Sequence, residues 1–214
     1  MTARTPTTEP IIGSDGEVWG TVLSLFDYTG VWSEPYREVG ATVVQVDIQH
    51  GSDVMDPALE RLTGVVGILA APPCTDFANC GARWFAAKDA DGRTEASIAL
   101  VRRTLSLIQF YAPDWWAIEN PAGRIHKLIP ELGAPRFTFQ PYEFGEPYSK
   151  ATWLWGSFER PTKGPIVKPE GMRNGQPPAW FSKVGGKSIA TKNYRSRTSP
   201  GFARAFAASN PAWA

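Results

Sequence analysis

Short apolar runs of strand length alternate along the chain with turns, and one long stretch has helical period. Gly20-Thr-Val-Leu-Ser-Leu-Phe26 predicts a β-strand that closes in the turn Asp27-Tyr-Thr-Gly30. Ser33 predicts an N-cap for a short helix to about Gly40, with Pro35 tolerated in its first turn. Thr42-Val-Val-Gln-Val-Asp-Ile48 predicts a second strand ended by the acid Asp47, and Val65-Val-Gly-Ile-Leu-Ala70 a third, closed by Pro72-Pro73. Over residues 94–111, Ile98, Val101, Leu105 and Ile108 recur on one helical face. Trp115-Trp-Ala-Ile118 predicts a further strand that ends at Glu119-Asn120-Pro121. Residues 137–140 and 152–155 predict two short strands around a Gly-Glu-Pro loop, and Ser199 caps a closing helix over 200–208. This order predicts an α/β fold: a Rossmann-like, mostly parallel sheet with helices on both faces and an antiparallel C-terminal finish.

The chain of 214 residues has no internal repeat and fits one domain with a sizeable core. Residues 1–16, rich in Thr and Pro, read as a loose arm, which leaves 17–214 as a single catalytic domain. Within it, 156–194 reads as a short basic loop region suited to contact with a polyanion. The net charge of +1 hides a strong asymmetry: after Glu170 there is no acid, only Arg173, Lys183, Lys187, Lys192, Arg195, Arg197 and Arg204. Such a face is either simply solvated or a docking surface for a polyanion. No apolar run is long enough to span a bilayer and no secretion pattern opens the chain, so a membrane partner is not expected. Cys74 and Cys80 make no disulfide framework and are read as free thiols in a reducing cytoplasm. His50 and His126 lack partner spacing, and the interval from Cys74 to Cys80 is not a zinc spacing, so no metal site is predicted.

In open α/β sheets ligands bind outside the carboxyl ends of the strands. Three such ends carry unusual residues: 27–30, Pro72-Pro-Cys74 and Glu119-Asn-Pro121. A cysteine after two prolines sits on a stiff loop, and a carboxylate on a neighbouring strand reaches the same crevice. One thiolate plus one carboxylic acid can attack an electron-poor ring and protonate it. Pro-Pro-Cys alone is weak, since free cysteines are often merely buried.

The order of these segments resembles the cytosine-C5 DNA methyltransferases, from about Leu23 to Asn210. Leu23-Ser-Leu-Phe-Asp-Tyr-Thr-Gly30 looks like the family's first motif, which implies a turn for S-adenosyl-L-methionine made by Phe26, Asp27, Thr29 and Gly30. Asp47 with Ile48 matches the end of the second strand, and Asp53 the acid that contacts the adenine. Ala71-Pro-Pro-Cys-Thr-Asp-Phe77 resembles the catalytic motif, in which Pro72 borders the cofactor and Pro73 and Thr75 the substrate. Ile118-Glu-Asn-Pro121 is similar to the Glu-Asn-Val signature. Tyr142-Glu-Phe-Gly-Glu-Pro-Tyr-Ser-Lys-Ala-Thr-Trp-Leu-Trp155 resembles the eighth motif, and 197–206 the last one, which closes over the cofactor beside Ser199.

The resemblance implies that Cys74 attacks C6 of cytosine, Glu119 assists at N3 and Asn120 orients the loop. The expected partner is DNA, double-stranded with the target cytosine flipped out of the stack. Thr152, Lys183, Lys187, Arg195 and Arg197 are candidate substrate contacts. Lys150 stands either near the flipped base or its phosphate, or simply at the surface. The first motif keeps only Gly30 of its glycines, so Tyr28 and Val31 reshape the donor site. Methylene-tetrahydrofolate is therefore an alternative donor, giving hydroxymethylation. A free deoxycytidine nucleotide is an alternative substrate, and a catalytically silent DNA-binding relative an alternative altogether.

The usual Gln-x-Arg-x-Arg of the eighth motif is absent, with Arg195 and Arg197 the candidates to supply a guanidinium. About forty residues stand where a target-recognition domain is expected, which implies a compact, phage-like member with relaxed sequence preference. Trp180 and Phe181 either stack on bases or anchor the loop. Cys80 reads as structural, and Asp76 as a helix cap or a relay.

Overall fold

The computed structural model describes residues 11–12, 18–164, 166–167 and 188–213. Its centre is β3 (Thr21–Leu25), after a small antiparallel pair of β1 (Ile11–Ile12) and β2 (Val18–Trp19). β3 pairs in parallel with β4 (Thr42–Val46) on one side and β5 (Val65–Ala70) on the other. β5 pairs in parallel with β6 (Trp115–Pro121). β8 (Thr152–Ser157) then runs antiparallel to β6 and to the edge strand β7 (Phe137–Phe139), giving the order β4-β3-β5-β6-β8-β7. The predicted α/β sheet with its antiparallel finish is what the chain forms.

The central strands are apolar on both sides because both sides are covered. Side chains alternate across a strand, so Leu23, Leu25, Ile68 and Ile118 face α3 (Arg93–Tyr111), which buries Ile98, Val101, Leu107 and Ile108 there. Val22, Leu69, Ala117 and Leu154 belong to the other face. There α1 (Glu34–Glu38) and α6 (Pro200–Ser209) contribute Tyr36, Phe202 and Phe206, beside Trp32. Ser199 caps α6 as its sequence predicts, accepting from Phe202 N at 3.3 Å. Gly67 is required by its neighbour: the Trp115 indole occupies the space a β-carbon would take, and its Nε1 donates to Pro211 O at 2.8 Å.

Several local expectations change. Ser33 stands at the N-cap of α1 without capping it; its Oγ donates instead to Asp27 Oδ2 at 2.8 Å, an acceptor closer at hand than the helix amides. β6 continues through Glu119, Asn120 and Pro121 because β8 pairs with all three. Asp47 ends the second strand by capping a 3-10 turn, Ile48–His50. Three short helices were not expected from the sequence: α2 (Phe85–Ala90), α4 (Ile125–Leu128) and α5 (Ile189–Ser196). α5 starts where Ser188 Oγ accepts from Thr191 N at 3.1 Å. The region read as a loop thus contains the end of β8 and the first six residues of α5. Arg173, Trp180, Phe181, Lys183 and Lys187, with most of the N-terminal arm, lie outside the described residues. Among those described, no helix is long and apolar enough to cross a membrane.

Candidate active site

The chain leaves β3 for β4 on one side and returns to β5 on the other, so the carboxyl ends of β3 and β5 diverge around a crevice. The segments after those two strands are tied to the sheet by Phe26 N to Val46 O (2.7 Å) and Ala71 N to Leu25 O (3.0 Å). Phe26 adopts φ 58°, a left-handed conformation that a non-glycine residue holds only when its surroundings impose it.

On the β3 side, Asp27 is buried and its Oδ2 accepts from Ser24 Oγ and Ser33 Oγ, both at 2.8 Å. Gln45 Nε2 donates to Asp27 O, and Arg37 Nη2 donates to Gln45 Oε1 at 2.6 Å. This network fixes a turn whose one glycine is Gly30. Tyr28 stacks on His50, ring centres 4.8 Å apart. A cleft of about 340 Å³ opens beside Thr29 and Gly30, with Pro200 and Arg204 on its far wall. Ser199 immediately precedes that wall. At the end of β4, Asp47 Oδ1 accepts from Gln49 N (2.8 Å), and Asp53 Oδ1 from Met55 N (2.9 Å). Between these acids Ile48 is 71% exposed, an apolar face left to solvent. α5 reaches the same place: Asn193 Nδ2 donates to Gln49 Oε1 (2.8 Å) and Gln49 Nε2 to Asn193 Oδ1 (3.3 Å).

On the β5 side, the loop that bears Cys74 is fastened from several directions. Asn120 Nδ2, fully buried, donates to Pro72 O at 3.0 Å and joins the ends of β5 and β6. Cys74 O accepts from Phe77 N (3.1 Å) and Ala78 N (2.9 Å). Asn79 N donates to Ala122 O (3.1 Å) and Arg124 N to Phe77 O (2.9 Å), with Gly123 pressed on the Phe77 carbonyl where no side chain fits. Asp76, expected as a cap or a relay, instead accepts from Ser97 Oγ on α3 at 2.6 Å and pairs with Lys88 Nζ on α2 at 3.0 Å. Burial opposes ionisation there, but the hydrogen bonds from Ser97 and Lys88 hold its carboxyl below the ordinary range.

Three chemical groups from three strand ends meet above this frame. Cys74 is half-buried, and Glu119 is buried one residue beyond the β5–β6 pairing. Lys150 arrives because β8 runs antiparallel and so begins where β6 ends; Thr152 Oγ1 fixes its carbonyl at 2.8 Å. Lys150 Nζ lies 3.5 Å from Glu119 Oε1, with the two side chains only 9% and 7% exposed. Burial pushes the Cys74 thiol up to about 11; Lys150 counters this, while Glu119 and Cys80 add to it.

The structure brings Cys74, Glu119, Asn120, Pro72, Lys150 and Thr152 together, with Pro73 and Thr75 exposed beside them. Phe26, Asp27, Thr29 and Gly30 border the adjoining crevice, and Asp47, Ile48 and Asp53 mark its outer end. The cation beside Glu119 is Lys150. Arg197 lies against the Tyr194 ring at 4.3 Å and within electrostatic reach of Tyr148, and Arg195 is half-buried in the last turn of α5. Cys80 is exposed rather than structural. Sequence reasoning missed Trp84, which is 56% exposed with Arg83 over its ring at 5.3 Å. Its signal was Arg-Trp-Phe, two large rings behind a cation, directly downstream of Cys74. Among the described residues no group of three or more His, Cys, Asp or Glu is placed to hold a metal.

No protein-family model and no curated protein matches the chain. Among solved structures it is similar to a protein described as a DNA modification methyltransferase encoded within a prophage of E. coli, at 15% identity over 64% of this chain and a TM-score of 0.43. It is also similar to the Entamoeba histolytica methyltransferase EhMeth, at 15% identity over 71% and 0.40. The third is a Spodoptera frugiperda DNMT2 mutant, at 19% identity over 79% and 0.38. The chain spans 45%, 58% and 60% of the lengths of these proteins. Likeness at this level leaves function to be argued from the site itself.

Proposed function

We propose that this protein transfers a one-carbon group, methyl from S-adenosyl-L-methionine, to C5 of cytosine in DNA. The observation that carries the reading is the convergence of Cys74, Glu119 and Lys150 at the end of a crevice between diverging parallel strands. Cytosine C5 is a weak nucleophile until C6 is attacked. The Cys74 sulfur forms that bond, Glu119 delivers a proton to N3, and Asn120 keeps the two loops in register. When bound, the donor supplies the electrophilic carbon that the enamine C5 then takes; loss of the C5 proton to a base restores C5=C6 and expels the Cys74 sulfur from C6.

The residues at the end of β4 suit the donor's adenosine: exposed Ile48 offers an apolar face to a purine, between carboxylates that can accept from ribose hydroxyls and the exocyclic amine. A base held in a duplex cannot reach Cys74, so it is flipped out. Exposed Trp84 with Arg83 stands on the loop behind Cys74, a surface for stacking on bases and pairing with phosphate. The acid-free C-terminal segment adds the sequence-independent attraction. A methylene-folate donor is the second reading. The Tyr28–His50 stack at the donor turn favours it, as a flat platform where glycines would leave open backbone.

Duplex DNA carrying 5-fluorocytosine tests the reading. Fluorine at C5 cannot leave as a proton, so an adduct that has accepted the one-carbon group persists. With S-adenosyl-L-methionine present, the expected product is a protein–DNA complex stable to denaturant and absent in Cys74→Ala. A complex that forms only with methylene-tetrahydrofolate transfers the assignment to the second donor. Absence of any complex with either donor contradicts the reading.

A further inference from the structure

The cleft beside Thr29 and Gly30 holds opposite charges that do not neutralise each other. Glu34 and Glu38 lie one turn apart on α1, so both carboxylates stand on the same helix face; Arg204 of α6 is on the opposite wall. Glu34 is already engaged, its Oε2 3.1 Å from Arg37 Nη1. Among the described residues neither Glu38 nor Arg204 has an ion-pair partner. The surfaces between them are apolar: Val31, Pro35 and Pro200. Gly30, at φ 69°, adds no side chain, and a β-carbon there would press on Arg37 Nη1 and the Gln45 amide at 3.3 and 3.4 Å.

One unpaired anion thus faces one unpaired cation across an apolar space of about 340 Å³. A phosphate or polycarboxylate would meet Arg204 but be repelled by Glu38, and a polyamine would meet Glu38 but be repelled by Arg204. An α-amino acid group carries an ammonium and a carboxylate on one carbon, so it satisfies both walls at once. Its methylene stem then lies against the prolines.

This cleft adjoins the residues that suit the donor's adenosine. Tyr28 stacks on His50, the last residue of the turn that exposes Ile48, and Thr29 and Gly30 lead directly into the cleft. We propose that the cleft receives the α-amino acid end of the one-carbon donor, with Arg204 taking its carboxylate and Glu38 its ammonium. Resting on the one-carbon-transfer reading, this assignment decides between the two donors. S-adenosyl-L-methionine ends in a free α-amino acid. Methylene-tetrahydrofolate ends in glutamate carboxylates whose nitrogen is held in an amide, so it has no ammonium for Glu38.

Calorimetric titration of the full chain with S-adenosyl-L-homocysteine and with 5′-methylthioadenosine tests this without DNA or turnover. Both ligands carry adenosine and a thioether, but only the first carries the amino acid. The wild-type chain is expected to bind S-adenosyl-L-homocysteine about 10-fold or more tightly than 5′-methylthioadenosine. Arg204→Met and Glu38→Gln each weaken S-adenosyl-L-homocysteine about 10-fold, the low end for a hydrogen bond to a charged group, because both side chains are exposed. Their affinity for 5′-methylthioadenosine stays within about two-fold of wild type, which reports a folded chain and an intact adenosine site. Equal wild-type affinity for the two ligands, or variants that titrate like wild type or lose both ligands alike, overturns the assignment and leaves the donor reading standing. A wild-type chain that binds neither ligand removes the S-adenosyl-L-methionine reading itself, and the role of the cleft with it.

Discussion

Glu119→Gln is expected to lower turnover on DNA by about 10²–10⁴-fold, the usual contribution of a positioned general acid. Glutamine keeps the size of the side chain and its place opposite Leu154 in the sheet, so the pocket should persist. What it loses is a proton that can be given to N3. Single-turnover kinetics with bound DNA separate this from a binding defect: the rate of the chemical step falls while the dissociation constant for the oligonucleotide stays within a few-fold. A variant that turns over at the wild-type rate would remove Glu119 from the chemistry.

Phe206→Ala has the largest expected effect on the fold. Phe206 is fully buried and meets Trp32, Trp115, Phe158 and Phe202 with ring centres 5.4–5.8 Å apart. Its truncation removes contacts to both the sheet and the donor-side segment at once, and should destabilise the protein by about 3–5 kcal/mol. A thermal melt should show the midpoint falling by roughly 10 °C for a chain of this size. A loss under about 1 kcal/mol would mean that α6 is not part of the cooperative core.

In the parallel half of the sheet β5 was the most legible strand, because it lies between β3 and β6 and reads as an unbroken apolar run: Val65 to Ala70 has the predicted bounds. The helix over Arg93–Tyr111 was legible through its 3.6-residue period, and α6 through its Ser199 cap. Cys74 and Glu119 could be picked out because strand ends are where such a sheet binds ligands. Lys150 could be named but not placed, because its position depends on β8 running backwards beside β6, a pairing that no local pattern encodes. The same holds for Ser33: its choice of Asp27 over the helix amides is decided by a turn that folds back on it. α5 was missed because its face carries Ile189 and Tyr194 among polar residues, and its place is set by the Gln49–Asn193 bond across the fold.

Nucleoside mass spectrometry on DNA from cells expressing the protein, beside cells expressing Cys74→Ala, decides whether the chain modifies cytosine. The first sample is expected to contain deoxycytidine heavier by one methyl group and the second only unmodified deoxycytidine. Unmodified deoxycytidine in both would contradict it.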